Sequence, residues 1–174
     1  MKKIVYSLAV LLPIYFFGQN VHSDNLKKER TNSKLVELMH LVHTNDQKYR
    51  TNVYRKYIDK QTKLDSINLS IIDSLFKEYN SYIGKSLVGD NLAHVMWLVI
   101  QHSNIKKMEN YLPVIEKAAN QKELSRVPLA MLIDRIYSIK YGYQIFGSQH
   151  GVKLGENKIR DSLKSKYNLE GFGR

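Results

Sequence analysis

The stretch Asn91–His102, NLAHVMWLVIQH, is apolar almost all the way round a helical wheel. A helix of that kind cannot lie on a surface, so the rest of the chain must wrap it. The cover is written in helical spacing. Leu35, Leu38, Met39 and Val42 follow i, i+3, i+4, i+7, which predicts a helix with one buried stripe. Leu64, Ile67, Ile71, Leu75 and Tyr79 predict a second, with Asn68 on the same stripe. Gly84 and Gly89 mark a loop, and Asp90 is placed to cap the central helix. Asn104 is placed to cap the next one, which Pro113 either kinks or restarts. Ile115, Ala118 and Ala119 form its packing face.

A further helix has Pro128 in its first turn and Leu129, Leu132, Ile133, Ile136 and Lys140 along one side. Four glycines between Gly142 and Gly155 suit a tight turn or a short hairpin with Tyr143–Phe146 as one arm. The last helix runs from about Asn157 to Tyr167, with Ile159 and Leu163 inward and Lys164 and Lys166 near its end, where cations suit the dipole. The chain of 174 residues is long enough for one domain with a substantial core. The expected architecture is all-α: a single compact bundle of about five or six helices, with a glycine-rich loop or short β-hairpin near the C-terminus.

The beginning of the chain reads differently. Lys2 and Lys3 precede a continuous apolar run, Ile4–Phe17. That is the pattern of a secretory signal peptide, and the run is short for a membrane span of roughly 20 residues. Cleavage is expected after Gly18, leaving residues 19–174 as one exported domain, periplasmic or extracellular; an uncleaved anchor is the alternative and would be its one membrane contact. There are no cysteines, which excludes disulfides, thiolate catalysis, cysteine zinc sites and a lipoprotein anchor. No cofactor or metal is expected. His94 and His102 project about 80° apart on one helix, where chelation would want i, i+4.

The net charge of +11 favours acidic partners. Six basic residues from Lys48 to Lys63 are interleaved with Tyr49, Tyr54 and Tyr57. The favoured reading is the solvated face of a helix with its tyrosines packed inward. The alternative is a surface for an anionic glycan or a lipid, with nucleic acid disfavoured for an exported chain.

The chemistry lies in polar residues on apolar faces. Continuing the Leu35–Val42 stripe places Asp46, Tyr49, Arg50 and Val53 on it, with Asp46 and Arg50 spaced to pair. Equally, the helix breaks at His43 and Thr44 starts another, with Gln47 completing a capping box. Gln101 shares the face of His94. Asp134 points away from its helix's apolar stripe and Arg135 projects to the flank. Adjacent residues on a helix do not face each other, so these two must reach different partners. Arg135 can fork onto a carboxylate, whether the protein's or a ligand's.

Taken together, Glu37-Leu-Met39, Asp46-Gln47 with Arg50, Gln101-His102, Asp134-Arg135 and Gln144-Ile-Phe-Gly-Ser-Gln149 resemble a bacterial domain-of-unknown-function family, number 6624. Its segments read D-Q-x-x-R, Q-H, D-R and Q-Y-G-T-Q. Phe146 and Ser148 stand here for the tyrosine and threonine of that loop, and Asp65 and Asn68 match further positions. The resemblance implies a helical domain and no assigned activity.

Three functions are compatible with these residues. In the first, Asp46, Gln47, Arg50, Asp65, Asn68, Gln101, His102, Asp134, Arg135, Gln144, Gly147 and Gln149 form one polar network inside a binding or interaction module. In the second, a hydrolase uses His102 as general base, Asp134 to orient it and Arg135 to hold an anionic group. In the third, a cationic protein binds anionic envelope polymer or a lipid surface through charges such as Lys56, Lys60 and Lys63. The first is preferred, because the chain has no nucleophile elbow, phosphate loop or metal-ligand spacing.

Overall fold

The computed structural model describes residues 16–50 and 54–173, with side chains from residue 32 to 50 and from 56 to 173. The body of the proposed signal peptide, residues 1–15, lies outside the described residues. The chain divides into two compact units, Met1–Lys34 and Leu35–Arg174. In the first, the described part is helical backbone from Phe16 onward. All that follows concerns the second. No described helix is long and apolar enough to cross a membrane.

The described residues form an all-α bundle: α1 (Phe16–Gln47), a 3-10 turn (Tyr54–Tyr57), α2 (Ile58–Tyr79), α3 (Lys85–Val88), α4 (Val95–Gln101), α5 (Ile105–Asn120), α6 (Arg126–Tyr141) and α7 (Asn157–Lys166). At its centre lies α4, where Val95, Met96, Val99 and Ile100 are sealed from solvent. Leu35, Met39 and Val42 of α1, Ile72 and Leu75 of α2, Met108 and Ile115 of α5, and Leu129, Leu132 and Ile133 of α6 complete one continuous core around it. Within it α5 packs along α6. Burying each large aliphatic side chain contributes roughly 1.5–3 kcal/mol, so this cluster dominates the folding free energy.

Several local expectations hold. The Asn104 side chain accepts from Lys107 N at 3.0 Å and caps α5. Pro113 sits inside α5 without restarting it. Leu163 faces the core from α7, with Ile159 partly buried beside it.

Others are corrected. The central helix is shorter than its apolar run: residues 91–94 form turns, and Asp90 pairs with Lys85 at 2.9 Å instead of capping α4. The break at His43 does not occur. Thr44 Oγ1 donates back to His40 O at 2.9 Å and α1 continues to Gln47, a local bond that a hydroxyl inside a helix can make. Ile67 is 53% exposed, because the inward face of α2 is rotated onto Gln61, Asn68, Ile72 and Leu75. Near the C-terminus, of the two alternatives it is the glycine-rich loop that forms, with a single parallel bridge, Gln144 to Leu154. Finally, the basic stretch from Lys48 to Lys63 is not one helical face: Lys48 and Arg50 follow α1, Lys56 is in the 3-10 turn, Lys60 and Lys63 are in α2, and residues 51–53 lie outside the described residues. Tyr49 and Tyr57 are half-buried against each other, their rings 5.3 Å apart beneath Lys48, Lys56 and Lys60.

Candidate functional site

The last turn of a helix leaves carbonyls without intrahelical partners and carries partial negative charge. A carboxylate there needs compensation. Asp46 sits in the last turn of α1 and is almost fully buried. The inward face of α2 supplies the cap: Gln61, also sealed, donates from Nε2 to Asp46 O at 2.9 Å and Asn45 O at 3.2 Å, and accepts from Tyr49 N at 2.9 Å. The same Nε2 donates to Asp65 Oδ1 at 2.7 Å. An amide has two protons for these three acceptors, so one is shared. One turn on, Asn68 Nδ2 donates to Val42 O at 2.9 Å. The polar residues of α2 are therefore the plug that closes α1.

Side chains compensate the Asp46 charge. Its Oδ2 accepts from Gln47 Nε2 at 2.6 Å and pairs with Arg50 Nε at 3.4 Å. Arg50 Nη2 also reaches Asp65 Oδ1 at 2.7 Å, binding the turn after α1 to α2. On the other side, Asp46 Oδ1 meets His102 Nδ1 at 2.9 Å. His102 follows α4 directly and keeps 14% of its side-chain surface exposed. A carboxylate only accepts, so this contact places the imidazole proton on Nδ1 and leaves the Nε2 lone pair free. Among the described residues no hydrogen bond reaches Nε2, and it is not among the polar atoms sealed from solvent.

Arg135 stands apart from this pairing. Its guanidinium is half-buried in α6, and among the described residues no hydrogen bond or ion pair reaches it. Burial lowers its pKa, and the charge nearest enough to add to that is Arg50. Of the two partners open to it, a protein carboxylate or a ligand's, the first is not found among the described residues. Its nitrogens are also not among the sealed atoms, so they remain open to solvent.

Asp134 belongs to a different group. Fully buried, it accepts from Ile145 N and Phe146 N on Oδ1, each at 2.7 Å, and from Ser148 N on Oδ2 at 2.8 Å. Gly147, at φ 96°, makes the reversal that brings Ser148 N round. Gln144 closes the same loop from within, donating to Gln149 O at 2.9 Å and Val152 O at 2.5 Å and accepting from Gln149 N at 2.6 Å. Arg160 Nε, from α7, donates to Ile145 O at 2.9 Å.

Of the twelve positions expected to form one network, ten fall into two groups and Gln101 and Arg135 into neither. Asp46, Gln47, Arg50, Asp65, Asn68 and His102 gather at the end of α1; Asp134, Gln144, Gly147 and Gln149 build the loop; no hydrogen bond among the described residues joins the groups. The partner of His102 is Asp46, not Asp134, whose oxygens are committed to backbone amides. Gln101 is buried with Oε1 unpartnered and joins neither. Sequence reasoning missed Gln61, although its seven-residue spacing from Asn68 on one face of α2 was a usable signal. Among the described residues no cluster of three His, Asp or Glu stands at metal-binding spacing.

The site defines a class in structural terms alone: an all-α domain whose buried carboxylate is met by an amide, a guanidinium and an imidazole that keep contact with solvent. No family model, no curated protein and no solved structure matches the chain.

Proposed function

We propose that this domain is an exported binding module for a small anionic ligand bearing a carboxylate or phosphate, held by Arg135 with Arg50 and His102 nearby. The observation that carries it is the state of Arg135: half-buried, under the repulsion of the Arg50 guanidinium, and with no carboxylate partner among the described residues. A desolvated cation facing a like charge is unfavourable unless an anion is brought to it. Guanidinium groups take planar anions with two parallel hydrogen bonds. Membership of family 6624 is part of the same proposal, since Asp46, Gln47, Arg50, His102 and Asp134, all at its motif positions, build the two groups. Export rests on Lys2, Lys3 and the apolar run to Phe17.

The test is thermal unfolding of the chain with a panel of dicarboxylates, tricarboxylates and phosphate monoesters. An anion at about one hundred times its Kd is expected to stabilise the folded state by about 2.7 kcal/mol. Arg135→Ala removes that gain. A wild-type protein indifferent to the whole panel, or a gain that survives in Arg135→Ala, rejects the proposal.

The free Nε2 of His102 favours a second reading, in which the bound anion is an ester and His102 deprotonates the attacking water while Asp46 holds the ring. His102→Gln would then abolish turnover and retain binding, whereas a pure binding module shows no turnover to abolish.

A further inference from the structure

A second surface of the domain, away from Asp46 and His102, is built from tyrosines. Tyr137 and Tyr141 are one turn apart on α6, and Tyr143 follows in the loop after Gly142. Their rings form a closed triangle, with centroids 5.2 Å (Tyr137–Tyr141), 5.9 Å (Tyr137–Tyr143) and 5.9 Å (Tyr141–Tyr143) apart. The last pair is stacked within 26°, and Tyr141 is 54% exposed. Facing them across a cleft of about 420 Å³ are Lys158, Ile159, Ser162 and Leu163 of α7. Lys158 and Ser162 are one helical turn apart, so both stand on the same rim.

The loop is shaped for this. A Cβ on Gly155 would lie 2.6 Å from Tyr143 Cδ2, so only glycine there lets the Tyr143 ring occupy its place. Tyrosines gathered for the core would be covered. These are half-buried or exposed, and the hydroxyls of Tyr137 and Tyr143 have no hydrogen-bond partner among the described residues.

We infer that this cleft is a saccharide-binding subsite with preference for an acidic oligosaccharide. Flat, partly exposed phenol rings match the apolar C–H faces of a pyranose, while the two free hydroxyls, Ser162 and Lys158 match its hydroxyl groups. The charge decides among ligands of similar shape. Aromatic clusters also take quaternary ammonium groups, but the cation that lines this cleft, Lys158, disfavours a second one, whereas Lys140 over the Tyr141 ring is paired with Glu109. Aromatic grooves also take proline-rich segments, yet a proline ring uses none of the polar groups present here. A carboxylate-bearing sugar uses both the faces and Lys158. A chain of net charge +11 attracts such a ligand from a distance.

The test is calorimetric titration of the full chain, at low ionic strength, with tetragalacturonate and with its fully methyl-esterified form, which keeps the ring and loses the charge. The acid is expected to bind and the ester to bind about fivefold or more weakly. Tyr141→Ala with Tyr143→Ala lowers affinity for both by about tenfold or more. Lys158→Gln, an exposed substitution that leaves the fold alone, brings the acid down to the level of the ester. Arg135→Ala leaves saccharide binding unchanged, which separates this subsite from the anion site proposed above. The inference is overturned if neither tetramer binds at millimolar concentration or if the ester binds as tightly as the acid. It is equally overturned if the Lys158→Gln protein keeps full preference for the acid, or if choline or a proline-rich peptide binds the cleft in place of the saccharide.

Discussion

Two buried carboxylates, Asp46 and Asp134, solve the same problem in opposite ways. Asp134 accepts from three backbone amides of one loop, and every partner is fixed by the fold. Asp46 is met by the side chains of Gln47, Arg50 and His102, two of which keep 14–17% of their surface in solvent. A carboxylate satisfied wholly by backbone has no reach beyond the protein. One satisfied by jointed side chains holds in position groups that still touch solvent. Burial of charge therefore marks structure at Asp134 and a candidate site at Asp46, and the difference lies in what the partners are.

The largest expected effect tests the closed half of that contrast. Asp134→Ala orphans the amides of Ile145, Phe146 and Ser148, which cannot turn to water without unmaking the loop. Hydrogen bonds to a charged group contribute about 1.5–3 kcal/mol each, so a loss of about 4 kcal/mol is expected in urea unfolding. A loss under about 1 kcal/mol would show that the loop does not depend on its carboxylate. Asp46→Asn is expected to cost less, about 2 kcal/mol, because Arg50 and His102 can swing outward and rehydrate. Equal costs at the two positions would erase the distinction.

These two carboxylates also show where sequence reasoning stops. The pairing of Asp46 with Arg50 was legible because four residues on a helical stripe is local geometry, and so was the central burial of the apolar run around Trp97. The cap on α5 by Asn104 was legible for the same reason. The role of Asp134 was not, since it is set by amides 11 to 14 residues later in a loop that folds back on the helix. Nor was the tie of His102 to Asp46, 56 residues apart, which depends on α4 ending where α1 ends. Ile67 misled because the stripe of α2 was drawn through its apolar residues, whereas closing α1 required Gln61, Asp65 and Asn68 to face inward. Hydrophobic periodicity locates the helices; where a helix end must be plugged, polar demand sets the rotation.

Arg135 sharpens the comparison by changing its sign. Arg135→Met keeps an apolar stem against the bundle and removes a desolvated charge beside Arg50. Stability is expected to hold or rise by up to about 1 kcal/mol, while the anion-dependent gain disappears. A stabilised protein that no longer responds to ligand is the signature of a residue kept for binding. Should Arg135→Met instead cost more than about 1 kcal/mol, Arg135 belongs with Asp134 among the structural groups.

The smallest effect concerns a polar pair outside both groups. His43 and His94 meet edge to face with ring centroids 5.4 Å apart. Burial, and then the neighbouring His43, lower the His94 pKa below its ordinary 6.5. The folded chain therefore takes up this proton less readily than the unfolded chain. Above about pH 6.5 neither state carries it and the contribution to stability is complete; as pH falls below that value the unfolded state is protonated first, and stability declines until the folded value is passed. His94→Gln removes that slope. Urea midpoints of wild type and His94→Gln, compared at pH 7.5, 6 and 5, should converge as the pH falls, by a small margin because His94 keeps much of its surface in water. Parallel curves would mean that His94 is hydrated freely enough to titrate alike in both states. Convergence would show that burial beside a second imidazole opposes protonation of His94; His102, whose ring is held by Asp46, is the histidine assigned a part in the site.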